Sequence, residues 1–199
     1  MQHTHFAAAT AAVADRFITV TAMKRGTYGA PANAGAMPTA GARKVTITLT
    51  RNGAVDNPLG TVTIAGTNLL GQTISEVITP LDNTIATGTL YFKTVTAVTG
   101  GNTWVTADAA DSIVVGCAAA AIVAEGQGTL GAIAVNTAAN GTITVADASG
   151  TIAILKASIT EGLYEFNVEW SGFLSITAAA ATDLTIIHSG SLPTSYAMS

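Results

Sequence analysis

The sequence predicts an all-β protein built from two small sandwich- or barrel-like modules. Apolar and polar residues alternate at period two from Arg16 onward, the signature of strands with one buried face. Turn signals interrupt these runs at short intervals: Asn52-Gly53, Gly66 to Gly71, Gly100-Gly101-Asn102, Asn140-Gly141 and Asp147 to Gly150. The single helix candidate, the Ala-rich stretch Thr4 to Ala14, is short and reads equally as an extended arm.

Taken in order, residues 1–15 are expected as an irregular N-terminal arm and residues 26–41, with Pro31, Asn33 and Pro38, as an exposed loop able to reach a neighbour. The run Arg43-Lys-Val-Thr-Ile-Thr-Leu-Thr50 sends Val45, Ile47 and Leu49 to one face and threonines to the other. Further strands are expected at 60–66, 72–79, 88–98 and 112–117. Gly116 to Gly126 lacks alternation and reads as the connection between modules, with the boundary at 118–128 and a glycine-rich linker at 126–131. Beyond it, strands are expected at 130–135, 141–146, 150–157, 173–178 and 183–188. The clearest amphipathic strand is Leu163 to Trp170, where Tyr164, Phe166, Val168 and Trp170 oppose Glu165, Asn167 and Glu169. Residues 189–199 read as an irregular tail. The expected domains are therefore 16–118 and 119–199. Gly60 to Ile78 and Gly141 to Leu155 both read as strand, glycine turn, strand, an echo that favours two similar modules.

Hydrophobic residues make up 49% of the chain and charged residues 10%, against about 25% charged in an ordinary soluble domain. Threonine, serine and asparagine must supply the polar surface, and much of it is expected to lie under neighbouring subunits. A net charge of −4 leaves no basic stripe to neutralise phosphates, so nucleic acid is not an expected partner. Mean hydropathy is positive, yet Thr, Gly or a charge breaks every apolar run before 18 residues, so no membrane partner is expected either. The amino end lacks the basic region of a signal peptide, and a single cysteine, Cys117, rules out an intrachain disulfide framework; both fit a chain made in a reducing cytoplasm.

No motif carries chemistry. Gly126-Gln-Gly128-Thr-Leu-Gly131 matches G-x-G-x-x-G, but strand-like sequence follows where a dinucleotide fold needs a helix, so no cofactor is expected. His3 and His5 lack a third ligand, and no metal is expected there. His188 needs a tertiary partner, Ser or Cys117, to be a catalytic base, and no G-x-S-x-G elbow occurs; no catalytic residue is assigned and an enzyme is not expected. Asp108 with Asp111, Asp82-Asn83 and Asp56-Asn57 read as strand-ending Asx turns in preference to calcium loops. Asn140-Gly-Thr142 fits a glycosylation pattern, but a hairpin turn explains it. Trp104, Trp170, Tyr91, Phe92, Tyr164, Phe166 and Phe173 are expected in cores, whereas Tyr28 and Tyr196 fall outside strands and are the candidate partner contacts.

The segments Gly60-Thr-Val-Thr-Ile-Ala-Gly-Thr-Asn-Leu-Leu-Gly-Gln-Thr-Ile-Ser-Glu-Val-Ile78 and Thr87-Gly-Thr-Leu-Tyr-Phe-Lys-Thr-Val-Thr-Ala-Val98, closed by Ile113-Val-Val-Gly116, resemble β-sandwich virion proteins of tailed bacteriophages. Gly141 to Gly190 is similar to accessory modules of such particles. The resemblance covers about half the chain, carries no catalytic residue, and implies a structural role in the virion. Among its stations, capsid decoration (cement) is favoured by the acidic charge and the irregular segments; neck or tail components and a bacterial surface adhesin are the alternatives. The implied partners are the major capsid protein and copies of the chain itself, as a trimer at local threefold positions.

Overall fold

The computed structural model describes residues 1–9, 12–22, 28, 30–51, 60–81, 83–101, 111–180 and 182–190. Strands account for 72% of the structure, no α-helix occurs among these residues, and the strands form two sheets without closing a barrel. The all-β expectation holds. Twelve strands follow in chain order: β1 Gln2–Ala9, β2 Val13–Ala22, β3 Ala42–Thr50, β4 Val62–Thr67, β5 Thr73–Ile78, β6 Ile85–Phe92, β7 Thr94–Gly100, β8 Ser112–Val135, β9 Ile143–Asp147, β10 Gly150–Leu155, β11 Gly162–Ala178 and β12 Thr182–His188. They fall into two compact units. The first comprises Met1–Ala11, Thr39–Gly41 and Ala119–Ser199, and the second Ala12–Pro38 and Ala42–Ala118.

In the first unit the strand order is β1-β12-β8-β11-β9-β10. Its core gathers Phe6, Leu130, Ile133, Ile143, Val145, Trp170, Leu174, Ile176, Leu184 and Ile186, the inward-facing members of alternating strands. The predicted amphipathic strand forms the first half of β11. Trp170 is 2% exposed, Tyr164 and Phe166 pack on the same core, and Glu165, Asn167 and Glu169 face out. A bulge sets Phe166 and Asn167 against Gly131 alone, with Asn167 at φ 53°.

In the second unit β8 pairs with β2 and β3, β3 pairs with β6, and a separate sheet runs β5-β4-β7. Val45, Ile47 and Leu49 of β3, all at 0% exposure, meet Val62 and Ile64 of β4 and Ile113, Val115 and Cys117 of β8 in one core. This is sandwich-like packing of two inner faces.

Four expectations need correction. The N-terminal arm is a strand: β1 pairs antiparallel with β12, Thr4 opposite Ile186 and Phe6 opposite Leu184. Alanine's helix preference is worth less than a ladder with Phe6 in the core. The connection at 116–126 and the glycine-rich linker at 126–131 are the middle of β8, a continuous strand of 24 residues. Alternation disappears there because Ala121 to Ala124 are all buried, and a strand covered on both faces reads as an unbroken apolar run. The strand at 88–98 is two strands broken at Lys93, where the chain leaves the β3 partner for the β4 partner. The fourth is the Asn140-Gly141 hairpin, which does not form, because β9 takes β10 and β11 as partners. The segment 26–41, where described, is the expected irregular loop, with Ala30, Ala32 to Ala34 and Ala36 exposed, and it is also tied to its own chain. Met37 is buried, Arg16 donates from Nε to Ala36 O and from Nη2 to Met37 O, and Asn33 donates to Arg16 O. Asn33 and Ala34, both at positive φ, turn the chain so that this segment folds inward.

Both echoed segments fold as hairpins, β4–β5 and β9–β10, and in each the first strand also pairs with a third strand, β7 or β11. Asn140-Gly141 does not close a hairpin, since β9 pairs with β10 and β11, not β8.

Candidate functional site

The chemistry-bearing residues are scattered, and most are committed to structure. Gly126 to Gly131 lies within β8, where Gly126 faces Gly172 and Gly128 faces Trp170 on β11. No helix amino end follows it, so the backbone cradle that a pyrophosphate needs is not formed. His5 Nε2 lies 2.9 Å from Asp183 Oδ1. His188 is 1% exposed, its Nε2 is 3.3 Å from the Thr4 hydroxyl, and its Nδ1 has no hydrogen-bond partner. Burial pushes its pKa down, keeping the ring neutral. A hydroxyl beside an imidazole is the first half of a nucleophilic arrangement, but the group that should orient the other ring nitrogen is missing.

Cys117 belongs to the core of the other unit, beside Arg43. Burial raises its pKa more than the Arg43 charge lowers it, so it is held as a thiol, the inert form. Arg43 is itself buried and donates from Nη1 to Ala118 O at 3.1 Å. Among the described residues no group of three or more His, Cys, Asp or Glu side chains could hold a metal ion, and no helix is long and apolar enough to cross a membrane. Asp56, Asn57, Asp82, Trp104 and Asp108 lie outside the described residues. Asp111 is 7% exposed.

Of the two candidate partner contacts, Tyr28 packs half-buried against the core of the second unit, and burial pushes its phenol well above the ordinary value. Much of its ring is thus used within its own chain. Tyr196 lies outside the described residues.

Among the described residues two concavities are candidates for a site. An open cleft of about 480 Å³ in the first unit is lined by Gln127 to Thr129 of β8, Glu169 to Ser171 of β11, and Asp147. Its Asp147 carboxylate is fully engaged: Oδ1 accepts from Ser149 N, Ser149 Oγ and Gly150 N, and Oδ2 accepts from Ser171 N at 3.0 Å. These bonds, the Ser149 hydroxyl first, hold its pKa below the usual carboxylate value. With Asp147 fixed as a turn anion, Glu169 has no acid–base partner in the cleft. The indole N–H of Trp170 is buried without an acceptor and out of reach of solvent, so the ring serves as a floor and offers no donor to a ligand.

The second concavity, about 430 Å³, runs between β5 and β6 and is lined by residues 76–79, 81 and 85–89. Its rim is apolar: Val77, Leu81 and Ile85 are 62%, 49% and 59% exposed. At its base the Glu76 carboxylate accepts from Thr89 N, Thr89 Oγ1 and Leu90 N. A side chain on β5 thereby occupies backbone donors of β6 that no strand pairs. Gly88 makes the approach possible, since a Cβ there would sit 2.5 Å from Glu76 Oε2. Sequence reasoning missed this groove. Its one readable signal is Val77, an apolar residue on the face of β5 opposite to Ile74 and Ile78.

Comparison with known proteins gives no family model, no curated protein and no solved structure that matches this chain.

Proposed function

We propose that this chain is a structural subunit of a tailed-bacteriophage virion, a capsid decoration protein that strengthens the shell by gripping several neighbours at once. The observation that carries this reading is the surface. Val20, Val77, Ile85, Ile154 and Leu163, on five different strands or their ends, are each more than half exposed in a chain with only 10% charged residues. Apolar residues distributed over several strands suit contacts with more than one neighbour better than a single ligand site. Several weak contacts made together raise overall avidity far beyond each alone, which is the requirement for a staple on a pressurised shell. The turn-and-strand resemblance of 60–98 and 113–116 to virion proteins points the same way. The partners in this reading are the major capsid protein and copies of the chain in a closed ring, a trimer at local threefold positions.

Quantitative mass spectrometry of purified particles tests it. Hundreds of copies per particle, removable with loss of heat resistance, are expected. About six to a dozen copies would place the chain in the neck or tail instead, as expected for one closed ring. Absence from particles would overturn the virion reading and favour the adhesin.

A further inference from the structure

We propose that β1 is an exchangeable strand, which pairs with β12 of its own chain in the isolated molecule and with β12 of a second copy when His188 releases it. The inference does not rest on the virion reading. It starts from how β1 is held. The strand lies at the end of its sheet and pairs with β12 alone. Of its residues 2–6 only Phe6 is buried; Gln2, His3 and His5 are exposed and Thr4 is half-buried. What holds it is main-chain pairing, one aromatic anchor, and two side-chain contacts to β12: Thr4 with His188 and His5 with Asp183.

The receiving edge fits β1 residue for residue, because the register of Gln2 to Phe6 against His188 to Leu184 is the docking complex itself. A second copy supplies the same strand and the same Phe6, so exchange regains every contact that release loses. It then costs chiefly the entropy of association, which concentration offsets. The chain passes from β1 in one unit to β2 in the other, so release of β1 removes no strand between two others.

His188 is placed to control release. It is a core-facing, 1% exposed residue at the end of β12, and its Nε2 lies 3.3 Å from the Thr4 hydroxyl of β1. The charged groups facing it are His3 and the amino group of Met1, which both act to lower its pKa; Leu130 to Val135 of β8, opposite β12, has none. Burial lowers the His188 pKa, so the folded form binds its proton less readily than the released form does. Docking is therefore fully favoured above the free imidazole value of about 6.5 and weakens as pH falls below it. The His5–Asp183 contact is solvent-accessible, and such surface pairs contribute little to docking.

Amide exchange on the full chain tests release. Protection at Thr4 to Phe6 is expected to fall at least tenfold between about pH 7.5 and pH 5, while the β9–β10 hairpin stays protected. Unchanged protection of β1 would overturn the proposal. Exchange is tested by cysteines at the opposed positions His3→Cys and Ile187→Cys, oxidised at neutral pH before and after an acid pulse at high protein concentration. The link is expected within one chain before the pulse and mainly between chains after it; links within one chain under both conditions would sink exchange. His188→Gln is expected to keep β1 protected in acid, and loss of protection in that variant would remove His188 as the release point.

Discussion

Asp147 illustrates how a single side chain fixes a turn and a neighbouring strand together. Its two oxygens accept four hydrogen bonds, three inside the β9–β10 turn and one from Ser171 on β11. The turn was legible in the sequence, because Asp-Ala-Ser-Gly supplies an Asx acceptor and a flexible fourth residue; Gly150 does adopt φ 136°. The bond to Ser171 was not, since it joins residues 24 apart. The pH consequence follows from the lowered pKa. The folded-state value lies below that of the unfolded chain, so the stabilisation is complete above about pH 4 and is lost as pH falls through the folded value. Asp147→Ala is expected to cost about 1 kcal/mol at neutral pH and to flatten the acid limb of the stability curve, measured by urea unfolding across pH. An unchanged acid limb would mean the carboxylate is not the titrating group.

At the scale of elements, the alternating strands were readable and the exceptions share one cause. β3, β4, β5 and the first half of β11 keep one face in a core and one toward solvent, so period two survives in their sequences. The middle of β8 is covered on both faces and loses its period, while β1 lies at an edge and needs only Phe6. The fusion of β6 and β7 into one expected strand was avoidable: buried Phe92 and Val95 are three apart, a slip that marks a change of sheet. Pairing of β2 with β8 depends on Gly116, where a Cβ would meet the carbonyl oxygens of Val13 and Ala14 at 2.1 and 2.2 Å. Since both contacts are backbone, the strand itself must shift. Gly116→Ala is expected to destabilise the second unit by about 2–4 kcal/mol in chemical denaturation, while a change within 0.5 kcal/mol would show that β2 docks without this close approach. The Glu76 bridge makes a second element-scale prediction. Glu76→Ala uncovers the Thr89 and Leu90 donors beside the apolar rim of Val77, Leu81 and Ile85. An uncovered edge next to apolar surface recruits further strands. The variant is expected to lose about 1 kcal/mol and to self-associate by light scattering at concentrations where the parent stays dispersed. Equal scattering would mean the groove is guarded by something other than Glu76.

For the whole molecule, the chain divides into two compact units, but the change of character near residue 118 that suggested a boundary is the middle of the continuous strand β8 and not a connection. What could not be read was that the first nine residues fold with the carboxy-terminal module, an assignment made by the β1–β12 ladder across some 180 positions of sequence. The two cores share no residue: one is built around Trp170, Leu174 and Ile133, the other around Phe17, Ile47 and Phe92. Cores with separate membership are expected to melt as separate cooperative units. The sequence supplies a reporter for each, because Trp170 belongs to the first unit and Trp104 falls in the segment of the second. Trp104→Phe and Trp170→Phe each leave a single fluorophore, so urea titrations of the two variants follow one unit apiece. Distinct midpoints are expected, the Trp104→Phe curve tracking the Trp170 core. Acidification toward about pH 5 is expected to move the Trp170 transition to lower urea, since His188 lies in that unit and its neutral form is the one the fold favours. A common midpoint at both pH values would instead make the chain one cooperative unit, with β8 transmitting unfolding along its 24 residues.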